Sequence, residues 1–194
     1  ASGVAATTYS THLITKETKP DSRVLVNQYD ANRRVIAQSS TTGSSPKPIQ
    51  SATFNYATTT NADNTISGTT TVTDVNGNPT SYTLSSSQIA QISYPNNTSI
   101  SQKWDPVSRS LTSRTDRRGL VTAFSYDAQG NLTSRSISGN LTGKGSTETA
   151  ITSMSYNALN ALTGVTDPLG NKTSYSYSDT AHPYQPTSIT QSID

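Results

Sequence analysis

The stretch FSYDAQGNLTSRSI, residues 124–137, places an aromatic residue directly before Asp127, then a tight turn that ends at Gly130, then an alternating strand. The same order recurs at residues 154–171 and 27–38 and, in weaker form, at 102–116. A sequence that repeats itself at a short period folds as stacked copies of one unit. We therefore expect a repeat array whose function lies in the surface that the units form together.

The period of the array is about 21 residues, with some longer intervals. The residues that mark it are Tyr9, Tyr29, Tyr56, Tyr82, Trp104, Tyr126, Tyr156 and Tyr177. The longer intervals contain inserts rich in Gly, Ser, Thr and Asn, near residues 40–48, 58–68 and 138–150. Inserts in a repeat array map to loops, so we predict a single array of about eight repeats over residues 1–194, with loops at these three places.

Each unit has the pattern of a β-hairpin. In residues 120–137, Leu120, Thr122 and Phe124 share one face of the first strand, and residues 131–137 return as its partner. Asp127 begins the turn because its side chain bonds forward to the backbone, and Gly130 supplies the left-handed conformation at the turn's end. Other units place Asp or Gly at matching positions. These are Asp30, Asp74, Gly77, Asp105, Asp116, Gly119, Asp167 and Gly170.

The composition favours an all-β fold. Hydrophobic residues make up 30% of the chain, the net charge is +2 and Tyr occurs ten times, whereas disorder usually accompanies high net charge and few aromatic residues. Thr and Tyr suit a pleated, half-buried surface, and no apolar pattern of helical period extends over ten residues. We predict tandem antiparallel hairpins of about 16 short strands that form a curled, continuous sheet, a section of a larger one.

The same composition argues against several partners and sites. A net charge of +2 spread along the chain gives no reason to expect a nucleic acid or a membrane surface as partner. There is no cysteine, which removes disulfides and thiolate chemistry, and no apolar run approaches the roughly 20 residues that span a bilayer. We expect no signal peptide, no membrane span, no cofactor, no metal site and no catalytic residue.

Two groups of residues have both a functional and a structural interpretation. The repeated aspartates could be paired carboxylates of a glycoside-cleaving enzyme, but such an enzyme needs one pair at one bond, whereas these recur at every turn start, which favours turn capping. The aromatic residues could stack on sugars, but their constant position beside each turn favours packing between strands. His12 and His182 have no partner nearby in the sequence and are expected at the surface.

The motif resembles that of the RHS/YD-repeat family, whose Tyr-Asp pair appears here as Tyr29-Asp30 and Tyr126-Asp127. The resemblance covers most of residues 9–177 and is strongest at 126–133 and 156–173. Trp104 stands in place of a tyrosine, Asn157 in place of an aspartate, and Asn160 in place of a glycine. The family's self-cleaving closing segment is not matched, so the resemblance implies neither autoproteolysis nor toxicity.

The resemblance implies a β-sheet ribbon that spirals into a large hollow shell, which in bacterial toxins encloses a toxic polypeptide and in teneurins supports adhesion at the cell surface. The first hypothesis is therefore a non-enzymatic wall segment of a secreted or cell-surface bacterial shell, with the rest of a longer polypeptide and its cargo as partners. The second is a carbohydrate-binding or adhesion module that uses exposed aromatic residues to bind glycans. A polysaccharide-active β-solenoid enzyme is the third.

Overall fold

The computed structural model describes residues 6–10, 12–41 and 49–193, and all regular structure in these residues is β-strand. The strands are rich in Thr, Ser and aromatic residues, and their side chains alternate between the two faces. The Thr and aromatic residues favour β-strands, which explains why the regular structure is all β. The described strands fall into two compact units, one up to Ser99 and the other from Ile100 onward. None of the described residues forms a helix that could cross a membrane.

The first unit contains eight strands in chain order. They are β1 (Ala6–Ser10), β2 (Leu13–Thr18), β3 (Val24–Tyr29), β4 (Val35–Ser40), β5 (Ile49–Thr60), β6 (Ile66–Asp74), β7 (Pro79–Ser85) and β8 (Gln88–Ser93). Each pairs antiparallel with the next, from β1 to β8.

The second unit has the same arrangement. Its strands are β9 (Ser99–Trp104), β10 (Leu111–Thr115), β11 (Val121–Tyr126), β12 (Leu132–Gly139), β13 (Glu148–Tyr156), β14 (Leu162–Thr166), β15 (Lys172–Ser176) and β16 (Ser188–Ser192). Every neighbouring pair from β9 to β16 is antiparallel. The predicted fold class, all-β with tandem antiparallel hairpins, is confirmed in each unit.

Each sheet has two chemically different faces. In the second unit Ser125, Ser134, Ser153 and Thr166 lie opposite one another across four strands, on a face that carries chiefly Ser and Thr. In the first unit the equivalent face includes hydroxyl pairs across strands, such as Thr71 with Ser81 at 3.1 Å. Because side chains alternate along a strand, the residues between them point to the other face.

The opposite face carries most of the aromatic and aliphatic side chains. In the second unit it holds Phe124, Met154 and Val165, with Met154 directly opposite Val165. In the first unit Phe54 lies opposite Val72 on this face. Cross-strand pairs of this kind are the main stabilising contacts of a sheet.

Among the described residues, neither unit has a second layer over its sheet. The described strands within a unit contact only their neighbours in sequence. Among the described side chains only Ala161, with 8% of its surface exposed, counts as buried. Stable domains usually bury a sheet face against another layer. The stabilisation within each unit therefore comes from ladder hydrogen bonds, half-buried cross-strand pairs and the turns.

The three predicted insert loops have different structures. Residues 42–48 of the first lie outside the described residues. In the second, residues 58–60 and 66–68 extend β5 and β6, and only a short turn lies between them. In the third, residues 140–147 form an irregular loop between β12 and β13. Thr142 contacts Glu148 across the base of that loop, through both its backbone N–H and its hydroxyl.

Candidate functional site

The feature that recurs along the repeats is a five-residue turn that joins two antiparallel strands. In the turn that joins β11 to β12, the Asp127 N–H donates to the Asn131 carbonyl at 3.0 Å, and the Gly130 N–H donates to the Asp127 carbonyl at 3.1 Å. Gly130 has φ 87°, in the left-handed region that residues with a side chain avoid. This is the hairpin loop made of a turn followed by a left-handed bulge residue.

A carboxylate caps the turn from inside. Asp127 Oδ1 accepts the N–H groups of Gln129 and Asn131 at 3.0 and 2.9 Å, and its Oδ2 accepts the Asn131 side-chain amide at 2.9 Å. The side-chain amide of Asn131, together with these backbone donors, lowers the pKa of Asp127 below its ordinary value. Because the Asp127 carboxylate accepts both the backbone N–H and the side-chain amide of Asn131, these contacts explain why the motif has an Asp and an Asn four residues apart.

Four other sequence-predicted Asp residues occupy the same place in their own turns. Oδ1 of each accepts N–H groups two and four residues ahead. The pKa of each is lowered, chiefly by the backbone donors in Asp30 and Asp74, by the Arg118 side chain in Asp116 and by the Asn171 side-chain amide in Asp167. This set comprises Asp30, Asp74, Asp116 and Asp167. Asn157 caps its turn in the same way with its amide oxygen. The left-handed position is occupied by Gly77, Gly119 and Gly170 in three turns, and by Arg33 and Asn160 in two others.

Asp105 begins a longer variant of the turn. Its N–H donates to the Ser110 carbonyl five residues on, and its Oδ1 accepts the N–H groups of Val107 and Ser108. Arg109 takes the left-handed position with φ 62°. The segment WDPVSR departs from the motif because its turn contains one more residue.

Three turns have this geometry without the Asp-Gly pattern, and sequence reasoning missed them. Lys19, Asn61 and Tyr94 each donate their N–H to the carbonyl four residues ahead. Ser22, Asn64 and Asn97 hold the left-handed position. Asn is the residue other than Gly that best tolerates this conformation, so Asn64 and Asn97 were the only available signals.

In five of the repeats the tyrosine contacts the preceding repeat through its hydroxyl. Tyr126, at the end of β11, donates to the Leu111 carbonyl of β10 at 3.0 Å, and Tyr156 of β13 donates to the Leu132 carbonyl of β12 at 2.9 Å. The same contact joins Tyr29 to the Ile14 carbonyl, Tyr56 to the Val35 carbonyl and Tyr177 to the Leu162 carbonyl, at 2.7–2.8 Å. This tyrosine contact satisfies a carbonyl beside the turn and joins successive hairpins.

The Leu-Thr of the motif forms a β-bulge opposite the tyrosine. Tyr126 pairs with Leu132 whereas Ser125 pairs with Ser134, so Thr133 is the extra residue. Its hydroxyl donates to the Ser125 carbonyl at 3.2 Å. Thr112, in the preceding repeat, donates likewise to the Lys103 carbonyl at 3.1 Å. A bulge leaves one residue outside the ladder of backbone hydrogen bonds between the strands. The threonine hydroxyl at that point donates to a carbonyl of the partner strand and so replaces a lost ladder hydrogen bond.

Two more contacts join neighbouring repeats. The guanidinium of Arg34 lies 4.4 Å from the centre of the Tyr56 ring, while its Nε is 2.8 Å from Asp30 Oδ2. In the second unit, Asn131 Nδ2 donates to Asn160 Oδ1 at 2.8 Å, which connects two successive turns. Trp104 ends β9 as Tyr29, Tyr126 and Tyr156 end their strands, whereas Tyr56 and Tyr82 lie within β5 and β7.

The arrangement of the carboxylates suits capping rather than acid–base chemistry. Their oxygens are engaged by donors of their own turns, and the pKa of each is lowered, whereas a general acid needs a raised one. No three His, Asp or Glu side chains of the described residues come together as ligands for a metal ion.

His182 lies in the exposed loop before β16, as expected, but it has a partner nearby in the sequence, because its Nδ1 lies 2.8 Å from Asp179 Oδ2. Asp179 also accepts the Ala181 N–H, so a local turn brings the carboxylate and the imidazole together. The side-chain hydrogen bond from His182 lowers the pKa of Asp179. His12 is exposed, as expected.

Comparison with known families finds a match. The family model described as RHS Repeat matches residues 104–140 and 156–191. Those segments contain the turns capped by Asp105, Asp127, Asn157 and Asp167, together with Tyr126 and Tyr156. No curated protein matches the sequence.

Solved structures of toxin proteins have a similar fold. A crystal structure of TcdB2-TccC3 without its hypervariable C-terminal region aligns with a TM-score of 0.64 at 15% identity, over 96% of this chain and 10% of the other. The Photorhabdus luminescens Tc holotoxin pore with a mutated TccC3 aligns with a TM-score of 0.60 at 15% identity, over 92% and 9%. This chain thus spans about a tenth of the solved chains, and the likeness concerns the fold alone.

Proposed function

This chain belongs to the RHS/YD-repeat family, and on that premise we propose that it is a segment of the wall of a larger RHS-type shell that encloses a cargo polypeptide. The observation that carries the proposal is the uncovered sheet. Each unit is a single layer whose strands contact only their sequence neighbours, with Ala161 as the one buried residue among the described side chains. A layer of this kind is suited to a wall, in which further repeats continue the sheet and one face borders an enclosed space.

The chemistry of the turns supports a structural role over an enzymatic one. The recurring aspartates accept hydrogen bonds within their own turns, and the tyrosine hydroxyls donate to carbonyls of the preceding hairpin. Residues that repeat in this way stabilise an array, whereas catalysis requires a convergent group that departs from the repeat. The partners would be the remainder of a longer polypeptide and its cargo, outside the producing cell.

The test is limited proteolysis of the full-length natural polypeptide that contains this chain. If the repeats wall off a cargo, a segment outside the repeats stays resistant to trypsin in the native protein. The triple variant Tyr126→Phe, Tyr156→Phe, Tyr177→Phe removes three contacts between hairpins and should expose that segment to cleavage. Tyr184→Phe, in an exposed loop, is the matched control and should leave the resistance unchanged.

Electron microscopy of the same polypeptide gives a second readout. The proposal expects a closed wall with density inside it. A native protein in which trypsin cleaves every segment outside the repeats at once, and in which the images show an open sheet, would contradict the proposed enclosure.

A further inference from the structure

The loop between β12 and β13 is exposed over all of its residues, 140–147. At its centre Lys144 stands between Gly143 and Gly145, which have φ 79° and 85° and open space around an added Cβ. Among the described residues, no hydrogen bond or ion pair involves the Lys144 side chain. Exposed loop tips made of small and polar residues are the preferred sites of proteolytic cleavage.

The other described Lys and Arg residues lie within a strand or in a turn of at most six residues. Arg118, for example, lies in a turn whose Asp116 cap accepts its N–H at 2.9 Å. A protease binds several residues around the bond it cleaves in extended form, so cleavage in such a turn requires two paired strands to separate. The loop at 177–187 has no Lys or Arg. Lys47, outside the described residues, is followed in the sequence by Pro48, and trypsin-like enzymes do not cleave before proline.

Hydrogen bonds within the loop hold it compact on both sides of the lysine. Glu148 accepts the Thr142 N–H at 2.9 Å and the Thr142 hydroxyl at 2.7 Å, and it accepts the Ser146 hydroxyl at 3.5 Å. Asn140 Oδ1 accepts the Gly145 N–H at 3.2 Å. A protease can bind the loop only after these contacts open, and the rate of such cleavage follows the population of the open form.

The strands on either side of the loop remain paired without it. Residues 134–139 of β12 pair with residues 148–153 of β13. β12 also pairs with β11, and β13 pairs with β14. Cutting the loop removes only the covalent link between the two strands, whose effect is to lower the entropy cost of bringing them together. The two parts therefore stay associated through the ladder between β12 and β13.

We propose that the loop at 140–147 is a processing site for a serine endoprotease of trypsin-like specificity, which cuts after Lys144 and leaves both parts in one sheet. The C–N bond between Lys144 and Gly145 breaks. Water supplies a hydroxyl group to the Lys144 carbonyl carbon and a proton to the Gly145 nitrogen, so a carboxyl group and an amino group form. The cleavage requires no cargo and no enclosed space, so it can fail without failure of the proposed function.

The test is brief treatment of the full-length natural polypeptide with a low concentration of trypsin. New amino termini are labelled and identified by mass spectrometry. We expect a terminus at Gly145 to form at least about tenfold faster than any other terminus within the described residues. In size-exclusion chromatography the cut protein should elute with the intact protein in native buffer and separate into two parts only in denaturant.

Two variants with matched controls test the site and its contacts. Lys144→Gln should abolish the terminus at Gly145, whereas Lys172→Gln, which removes an exposed lysine of β15, should leave its rate unchanged. Glu148→Ala should raise the rate about fivefold, the effect of losing about one net hydrogen bond. Glu17→Ala removes a carboxylate from the first unit and should change the rate less than twofold.

Three results overturn the proposal. The first is a cut that forms fastest at another Lys or Arg of the described residues. The second is a cut protein whose two parts separate in native buffer. The third is a Glu148→Ala variant that trypsin cuts no faster than it cuts the unchanged protein.

Discussion

At the residue scale, each Asp- or Asn-capped turn is held closed by an acceptor that takes two backbone N–H groups at once. Asp127 does this with a carboxylate and Asn157 with an amide, at equal distances within 0.1 Å. The cap therefore depends on an oxygen in the right place and only partly on charge. This is why Asp and Asn exchange in the repeat while the turn stays the same.

The charge of the cap nevertheless makes stability depend on pH. The pKa of Asp127 is lowered in the folded state, by the Asn131 amide first. Its stabilising effect is complete above its unfolded pKa of about 3.9 and is lost as the pH falls through the lower folded value. We expect Asp127→Asn to keep the fold at pH 7 and to lose less thermal stability than the unchanged chain between pH 6 and pH 2.

Thermal melts followed by circular dichroism at both pH values check this. Asn157→Asp is the converse control, since it adds a capping carboxylate and should make the melting temperature more sensitive to acid. An equal acid-induced loss in the unchanged chain and in Asp127→Asn would show that the cap at this turn is not titrated.

The tyrosine contact predicts a small, specific loss of stability. Tyr156→Phe keeps the ring but leaves the Leu132 carbonyl without the donor now 2.9 Å away. We expect the free energy of unfolding to fall by about 1 kcal/mol, the usual effect of one hydrogen bond. Tyr184→Phe, at an exposed position, should change it by less than about 0.5 kcal/mol. Urea denaturation of the two variants makes the comparison, and equal losses would mean that the hydroxyl of Tyr156 contributes nothing.

The Tyr-Asp motif predicts a turn at the residue scale but not the hydroxyl contact. An Asp followed three residues later by Gly indicates a capped turn through local chemistry alone. The acceptor of Tyr126 lies 15 residues earlier, at Leu111, and depends on how successive hairpins pair. Sequence periodicity placed the aromatic residues beside the turns and favoured packing, but the partner atom required the register of β10 and β11.

At the element scale, a glycine within β6 is less replaceable than the glycines of the turns. Gly68 has φ 121°, and an added Cβ would overlap the Ala57 carbonyl oxygen and approach the Thr58 Cα to 2.8 Å. Gly77 has φ 82° with nothing within 4 Å of an added Cβ. The two positions separate the cost of a left-handed backbone from the cost of a steric overlap.

We expect Gly77→Ala to lower the free energy of unfolding by about 1 kcal/mol, the cost of the left-handed backbone. Gly68→Ala should lower it by at least about 3 kcal/mol, because β5 and β6 must also separate locally. Chemical denaturation measures both changes. Gly77→Asn is the control and should cost less than Gly77→Ala, since Asn97 and Asn160 already hold this conformation. Equal effects of the two alanines would exclude the steric overlap.

The lengths of the strands could be predicted only in part from the sequence. Alternation in residues 120–126 predicted β11 and the face of Phe124. Residues 58–68 have the same Thr- and Asn-rich composition as a loop, yet most of them continue β5 and β6. Thr forms strands as readily as loops when a partner strand is present, and the partner is a property of the fold.

At the scale of the whole molecule, the repeat order and the fold class followed from periodicity, since each hairpin needs only its neighbours. The division into two compact units was not expected. Composition also failed to show that the described strands of each unit form a single layer, because Phe124 or Val165 would look the same in the core of a two-layer domain.

Within the second unit, we expect the backbone amides of a strand to be better protected from hydrogen exchange when the strand pairs with two neighbours than when it pairs with one. All five side chains of β16 are exposed, and among the described strands of its unit it pairs only with β15. Residues 134–138 of β12 are paired on both sides. We expect the amides of β16 to exchange with solvent at least about 100-fold faster than those of β12, because edges open at lower free energy. Amide hydrogen exchange by mass spectrometry measures this, and equal protection of the two strands would contradict nearest-neighbour stability.

Within each unit the strands pair in the order in which they occur along the chain. This order has a consequence for folding during synthesis at the ribosome. A hairpin that leaves the exit tunnel finds the strand it must join already formed just ahead of it, so no strand waits for a distant partner. Growth in one direction leaves a single fresh edge exposed at any moment, which limits the time in which a nascent chain can pair wrongly with another.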